Sequence, residues 1–200
     1  MAALAASILM AGCATSSSTK PAATVTYPSK ANGWNGIDGV EFVQPYKLSA
    51  YTALVVEPVV TNKCTLPLKE DNTYDVTLAA LGQADGLVFA QIESGLKGKI
   101  PVVAKSAPEQ PTGNTLLLKV KVSEINPGSA AARFWVSFGA GSGWVRMEGE
   151  LVDAATQKSL LKFDQRRVSS MRLDYKSVLA SCTKEIGEDF ARLIKLAEGK

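Results

Sequence analysis

Arg133-Phe-Trp-Val-Ser-Phe-Gly139-Ala-Gly141-Ser-Gly143-Trp144-Val145-Arg-Met-Glu-Gly149-Glu-Leu-Val-Asp153-Ala-Ala-Thr-Gln157-Lys-Ser-Leu-Leu161-Lys-Phe163-Asp164 is the stretch on which the fold turns. From Val145 onward it alternates. Val145, Met147, Gly149 and Leu151 share one side, while Arg146, Glu148 and Glu150 share the other. Successive side chains of a strand point to opposite faces, so this pattern predicts a strand with one buried and one solvated face. Asp153 to Lys158 is turn chemistry. After it Leu161 and Phe163 point inward, with Lys162 and Asp164 outward, which makes the unit an antiparallel hairpin.

The same alternation precedes it. Leu116, Leu118, Val120 and Val122 oppose Lys119, Lys121 and Ser123, and Asn126-Pro127-Gly128 ends that strand. Tyr51 to Val60 reads as a strand by its β-branched content, with an edge or bulge at Pro58, which has no N–H to give a neighbour. Ile100 to Ala104 reads as a short strand, and Val40 to Val43 as another within an irregular lead-in that has turn signals at Asn35-Gly36 and Asp38-Gly39.

Two helices complete the set. One spans about 75–96, capped by Asp75 or Thr77, with Leu78, Leu81, Phe89, Ile92 and Leu96 facing the core and a break expected at Gly82 and Gly86. The other runs from Tyr175 to about Glu198. Val178, Cys182, Ile186, Phe190, Leu193 and Ala197 recur every three or four residues, and Leu179 and Ile194 widen the stripe. Asp174 or Ser177 is its cap, while Lys184, Glu185, Glu188, Asp189, Arg192 and Lys195 are placed toward solvent. The expected fold is α+β, with a mainly antiparallel sheet and two helices packed on one face. Its order is strand, helix, strand, three antiparallel strands, helix.

Composition removes several function classes. The 200 residues include no His, so His-based acid/base chemistry, Ser-His or Cys-His nucleophiles and ordinary zinc sites are unavailable. The three Cys are far apart and form no CxxC. A net charge of +3 gives no concentrated basic footprint for nucleic acid. No catalytic residue, metal ligand or cofactor is assigned, and the chain is not expected to be an enzyme.

Gly139-Ala-Gly141-Ser-Gly143 invites a phosphate-loop reading, which fails. GxGxxG requires glycine where Trp144 stands, no Lys-Ser/Thr follows, and a strand rather than a helix comes next. Taken as extended, the segment puts Phe134, Phe138 and Trp144 on one side and Trp135, Gly139, Gly141 and Gly143 on the other. Two readings stand side by side: a glycine loop with its aromatics tucked into the core, and a surface for a partner or membrane. Arg133, Arg166 and Arg167 with Glu148, Glu150, Asp153 and Asp164 read as a solvated cross-strand ion-pair network on the outer sheet face.

The N-terminus is apolar from Met1 to Met10, then small at Ala11-Gly12, then Cys13. Met10-Ala-Gly-Cys13 resembles the bacterial lipobox, after which the cysteine is diacylated. Residues 1–12 are therefore expected to be part of a lipoprotein signal peptide. No Lys or Arg precedes the apolar run and only twelve residues lie before Cys13, which points to a start further upstream. Residues 13–35, rich in Ser, Thr, Ala, Pro and Lys, read as a disordered tether with a reach of roughly 25 Å. Residues 36–200 form a single domain. Ala14 after the cysteine, by resemblance to Gram-negative lipoproteins, implies sorting to the outer membrane with the domain facing the periplasm. In an oxidising compartment Cys64 and Cys182 are either a disulfide or two buried free thiols.

Arg133 to Gly143, followed by Glu150-Leu-Val-Asp-Ala-Ala-Thr156 and an apolar return strand, resembles a family of small Gram-negative lipoproteins carrying a domain of unknown function. The likeness spans roughly Tyr51 to Phe190 in element order, with its specific motifs between Arg133 and Phe163. Ser137 and Gln157 stand at two of that family's glycines, and the second change implies a somewhat different turn. The resemblance implies an outer-membrane-anchored periplasmic domain and brings no catalytic residue. Together these readings give a non-enzymatic lipoprotein. It would contact the membrane through Cys13 and an unidentified envelope protein through Phe134, Trp135, Phe138, Gly139, Gly141, Gly143 and Trp144. The other reading is a binding module for a small envelope ligand, a lipid or glycan fragment, in an apolar pocket between sheet and helices.

Overall fold

The computed structural model describes residues 31–105, 113–129, 141–169 and 174–199. Asn35 and Gly36, with φ of 50° and 79°, make a tight reversal between β1 (Ala31–Trp34) and β2 (Ile37–Phe42). Two consecutive positive φ values suit the twist of a two-residue hairpin, and Asn-Gly is the sequence that tolerates them best. The lead-in is thus a complete hairpin rather than one short strand. The chain continues through β3 (Ala53–Val56), α1 (Tyr74–Leu96), β4 (Val102–Ala104), β5 (Thr115–Asn126), β6 (Gly143–Asp153), β7 (Ser159–Ser169) and α2 (Tyr175–Leu196).

These strands make one seven-stranded sheet in the order β1-β2-β7-β6-β5-β3-β4. The fold is α+β as expected, but the sheet is mixed rather than mainly antiparallel. β3 pairs parallel with both β4 and β5. For β4 the cause is α1: a helical crossover carries the chain back along the sheet, so the next strand runs in the same direction. β5, β6, β7 and β2 pair antiparallel, as alternation and the short hairpin turn require.

Pro58 produces the expected irregularity. The next N–H, that of Val59, turns away and donates to the Asp85 carboxylate on α1. Pairing with β5 then resumes, with Val60 N–H donating to Val120 at 2.9 Å and Val122 N–H donating to Val60 at 2.9 Å. The segment after β3 therefore rides along the edge of β5.

α1 is continuous through Gly82 and Gly86. Helix propensity is outweighed here by burial, since Val88, Ile92 and Leu96 are fully enclosed. The helix starts at Tyr74, ahead of Asp75 and Thr77. Asp71 holds this start, accepting from Thr73 N–H at 2.8 Å and from its hydroxyl at 2.6 Å. Leu78 faces solvent rather than the core, while Leu81, Ile92 and Leu96 are buried as expected.

α2 follows its sequence pattern closely. Asp174 caps it by accepting from Ser177 N–H at 2.7 Å. Val178, Cys182, Ile186, Phe190, Leu193 and Ala197 are all buried. Phe190 meets Phe163 of β7 edge-to-face with ring centroids 4.5 Å apart. Phe163 in turn lies across Gly149, where a Cβ would come 2.5 Å from its Cζ, so β6 needs glycine at that position. The far end of α2 is clipped to the chain ahead of β3. Tyr46 hydroxyl donates to Ile194 O at 2.7 Å, and Leu48 N–H donates to Glu198 at 3.1 Å.

Both helices share the sheet face that carries Leu116, Leu118, Val145, Met147 and Leu151, in one continuous apolar core. No helix among the described residues is long and apolar enough to cross a membrane.

Candidate interaction surface

Among the described residues no helix lies on the opposite face of the sheet, and its side chains follow the register of the strands. One row across the sheet is Lys119, Glu150, Lys162 and Glu41. The next is Lys121, Glu148, Asp164 and Gly39. A third begins Glu124, Arg146, Arg166. Period-two alternation alone places these charges together, because every second residue of four adjacent strands must share a side.

Local pairing then fixes the side chains. Arg146 donates to Asp164 Oδ2 from Nε at 3.1 Å and from Nη2 at 2.6 Å. Asp164 lies over Gly39, where any Cβ would collide with its carboxylate. Lys121 pairs with Glu148 at 2.8 Å, and Lys162 stands 3.8 Å from Glu150. The face is concave. It encloses about 710 Å³, rimmed by Asn32 of β1 on one side and by Val60 and Lys63, beyond β3, on the other.

The predicted charge cluster is only partly here. Arg166, Glu148, Glu150 and Asp164 lie on this face, joined by Arg146, whereas Arg133 falls outside the described residues. Arg167 turns to the helix side, because it is one residue out of phase with Arg166, and bonds Asp189 from Nε at 2.6 Å. Asp153 belongs to the β6–β7 turn. It accepts from Thr156 N–H at 2.8 Å and from Tyr51 hydroxyl at 3.0 Å. These bonds, that from Thr156 N–H foremost, hold the Asp153 carboxyl below its ordinary range. Gln157 keeps the left-handed conformation a turn glycine would take, with φ of 56°, and its side chain donates to Ala154 O at 2.7 Å.

Asp189, placed toward solvent by the sequence pattern, is buried at 5% exposure. Gln165 donates to it at 2.8 Å and Arg192 at 2.7 Å, beside Arg167. Arg192 also donates to Asn35 O at 2.6 Å, and Gln165 to Gly36 O at 3.2 Å. A carboxylate removed from water is held by opposite charge and donors, and here those partners tie α2 to β7 and to the β1–β2 turn. No local pattern marked Asp189, because two of its three partners, Gln165 and Arg167, come from β7.

Trp144 closes one end of the open face, with the Arg166 guanidinium 4.6 Å from its ring centre. Beside it a smaller cavity of about 400 Å³ lies between Trp144, Pro67, Asp71 and Pro127. Cys13, Phe134, Trp135, Phe138 and Gly139 lie outside the described residues. Gly141 and Gly143 are described, and their surroundings come from this chain. Gly141 O accepts from Ser129 N–H at 2.9 Å. A Cβ on Gly143 would fall 2.5 Å from Val178 Cγ1 and 2.7 Å from Pro127 O. The bare side at Gly143 is thus filled by the Asn126-Pro127-Gly128 turn and by α2.

Cys64 and Cys182 are both free, the first half-buried and the second fully buried. Burial raises both thiols, Cys182 to about 11, so each stays protonated near neutrality and is a poor nucleophile. Among the described residues no group of three or more Asp, Glu, Cys or His forms a metal site.

Residues 84–171 match a family model described as a domain of unknown function, DUF4410. The matched span contains all of Arg133 to Phe163, the stretch that carries the resemblance noted in the sequence. No curated protein matches the chain. Among solved structures, the PelC dodecamer from Paraburkholderia phytofirmans is similar at 14% identity, over 74% of this chain and 96% of that one, with a TM-score of 0.45. Protein XCC0632 from Xanthomonas campestris is similar at 11% identity, over 78% and 92%, with a TM-score of 0.43. Lipoprotein GNA1162 from Neisseria meningitidis is similar at 13% identity, over 70% and 99%, with a TM-score of 0.39. At such identities no residue role passes from one chain to another.

Proposed function

We propose that this chain is a non-catalytic lipoprotein of the bacterial envelope, anchored in the outer membrane through Cys13, whose domain holds a protein partner on the open face of its sheet. The observation that carries this reading is the asymmetry of the sheet. Both helices cover one face, and the other is a concave, charged trough of about 710 Å³. Complementary charge speeds the encounter with the right partner and rejects like-charged ones, so such a surface selects its partner. The absence of His and the protonated state of both described thiols support the non-catalytic part. The apolar run ending at Cys13 supports the anchor.

A photo-crosslinking side chain at position 150, on the open face, is compared in intact cells with one at position 184, on the solvent side of α2. The expected result is a protein adduct of one defined mass from position 150 only. Equal adducts from both positions, or none from position 150, would remove the open face as the contact. For the anchor, the wild type is expected to take up an alkyne-tagged palmitate and Cys13→Ser is not; equal labelling of the two would refute lipidation at that residue.

The cavity also favours a second reading, since its volume is within the range of small-molecule sites. Its lining is charged, which suits a polar ligand such as a glycan fragment better than a lipid chain. The space between sheet and helices is packed by Met147, Leu151, Leu161 and Phe190.

A further inference from the structure

The charges of the open face are balanced over most of its width but not at the rim beside β5. Lys121 has Glu148, Arg146 has Asp164 and Glu124, and Glu150 turns toward Lys162. Lys119 stands opposite Glu150 in the register, yet its side chain forms no ion pair or hydrogen bond among the described residues. Lys63 is in the same position, carried to the rim by the Val60–Lys121 bridge that follows Pro58. Lys63, Lys119 and Lys121 therefore line one end of the trough, where the nearby carboxylates already have partners: Glu148 pairs with Lys121, Glu150 with Lys162 and Glu57 with Lys105.

From this we infer, resting on the open face as the contact surface, that the Lys63–Lys119 rim receives the carboxylates of an acidic peptide segment from the partner. The rest of the floor narrows the choice. Glu41, Glu148, Glu150 and Asp164 line the same trough. A uniformly anionic surface, such as a phospholipid bilayer or a nucleic acid, would bring its charge over these carboxylates as well as over the lysines. Like charges at short range cost more than the exposed Lys63 and the half-buried Lys119 return. A peptide concentrates carboxylates at one end and lays neutral or basic residues over the acidic floor. The rim offers ammonium groups rather than guanidinium forks, so it recognises point charge and not bidentate geometry. Contacts of this kind weaken with salt.

The test uses the purified full-length protein and an octapeptide of four glutamates followed by four glycines, with binding followed by backbone amide shifts. Binding at low salt with shifts at Lys119, Val120 and Lys121 is expected, weakening at least tenfold in the Lys63→Glu/Lys119→Glu double variant. Lys63→Glu alone, at an exposed loop position, guards against misfolding and is expected to weaken binding several-fold. Absence of binding, or binding unchanged in both variants, overturns the proposal. Vesicles containing phosphatidylglycerol form a second arm. Tighter, lysine-dependent binding to them than to the peptide overturns it in favour of a membrane contact. An adduct at position 150 in cells without peptide binding would overturn this inference alone and leave the open face as the contact surface.

Discussion

The two faces of the sheet are made from the same strands and differ in almost every other respect. On the covered face Leu118, Val145, Met147 and Leu151 are sealed against α1 and α2. On the open face the intervening residues of the same strands, Lys121, Arg146, Glu148 and Glu150, pair across strand boundaries in contact with water. The covered face supplies stability, because apolar area removed from water is the main favourable contribution to folding. The open face contributes little, because exposed ion pairs exchange one favourable environment for another. A surface that is dispensable for folding is free to be specified by binding.

That contrast predicts unequal responses to substitution. The largest is expected at Phe190, where Ala would leave a void beside Phe163 and Gly149 and cost about 3–5 kcal/mol. Denaturant titration of the purified domain measures this, and a loss under 1 kcal/mol would mean the core is not closed there. A polar group on the covered side is expected to come next. Asp189→Ala strands Gln165 and the two guanidinium groups, at a cost of about 2 kcal/mol. The figure lies below that for a fully enclosed pair because Arg167 and Arg192 can turn to water. The smallest is on the open face. A double-mutant cycle over Lys121→Ala and Glu148→Ala is expected to give a coupling of about 0.5 kcal/mol that fades in high salt. A coupling as large as the loss at Asp189 would erase the distinction between the two faces.

What could be read in advance was whatever depends on neighbours along the chain. The alternation in Leu116–Val122 and Val145–Leu151 gave each side chain its correct face, and the three-to-four spacing in α2 found its buried stripe, because backbone geometry alone fixes these periods. Asp174 as a cap was equally local. Leu78 and Asp189 were misplaced for a shared reason. Both sit near the border of a helical stripe, where burial depends on what approaches from elsewhere. Leu78 is left 49% exposed, while Asp189 is covered by Gln165 and Arg167 of β7. The candidate rim shows the same limit. Lys119 was legible as an outward lysine, but Lys63 joins it only through the bridge beyond Pro58.

The sequence by itself thus determined the α+β class, the hairpin, both helices and the inward or outward sense of nearly every strand residue. It also carried the apolar run ending at Cys13 and the lack of His. Tertiary structure decided the rest: the parallel pairing of β3 with β4 and β5, the free state of Cys64 and Cys182, and the closing of the β1–β2 turn over Asp189. It also decided that the uncovered face is a concave trough with two unmatched lysines at one rim. Periodicity is a property of one strand or helix. Strand order, burial of a lone carboxylate and the balance of charge across a face depend on elements brought together from distant parts of the chain.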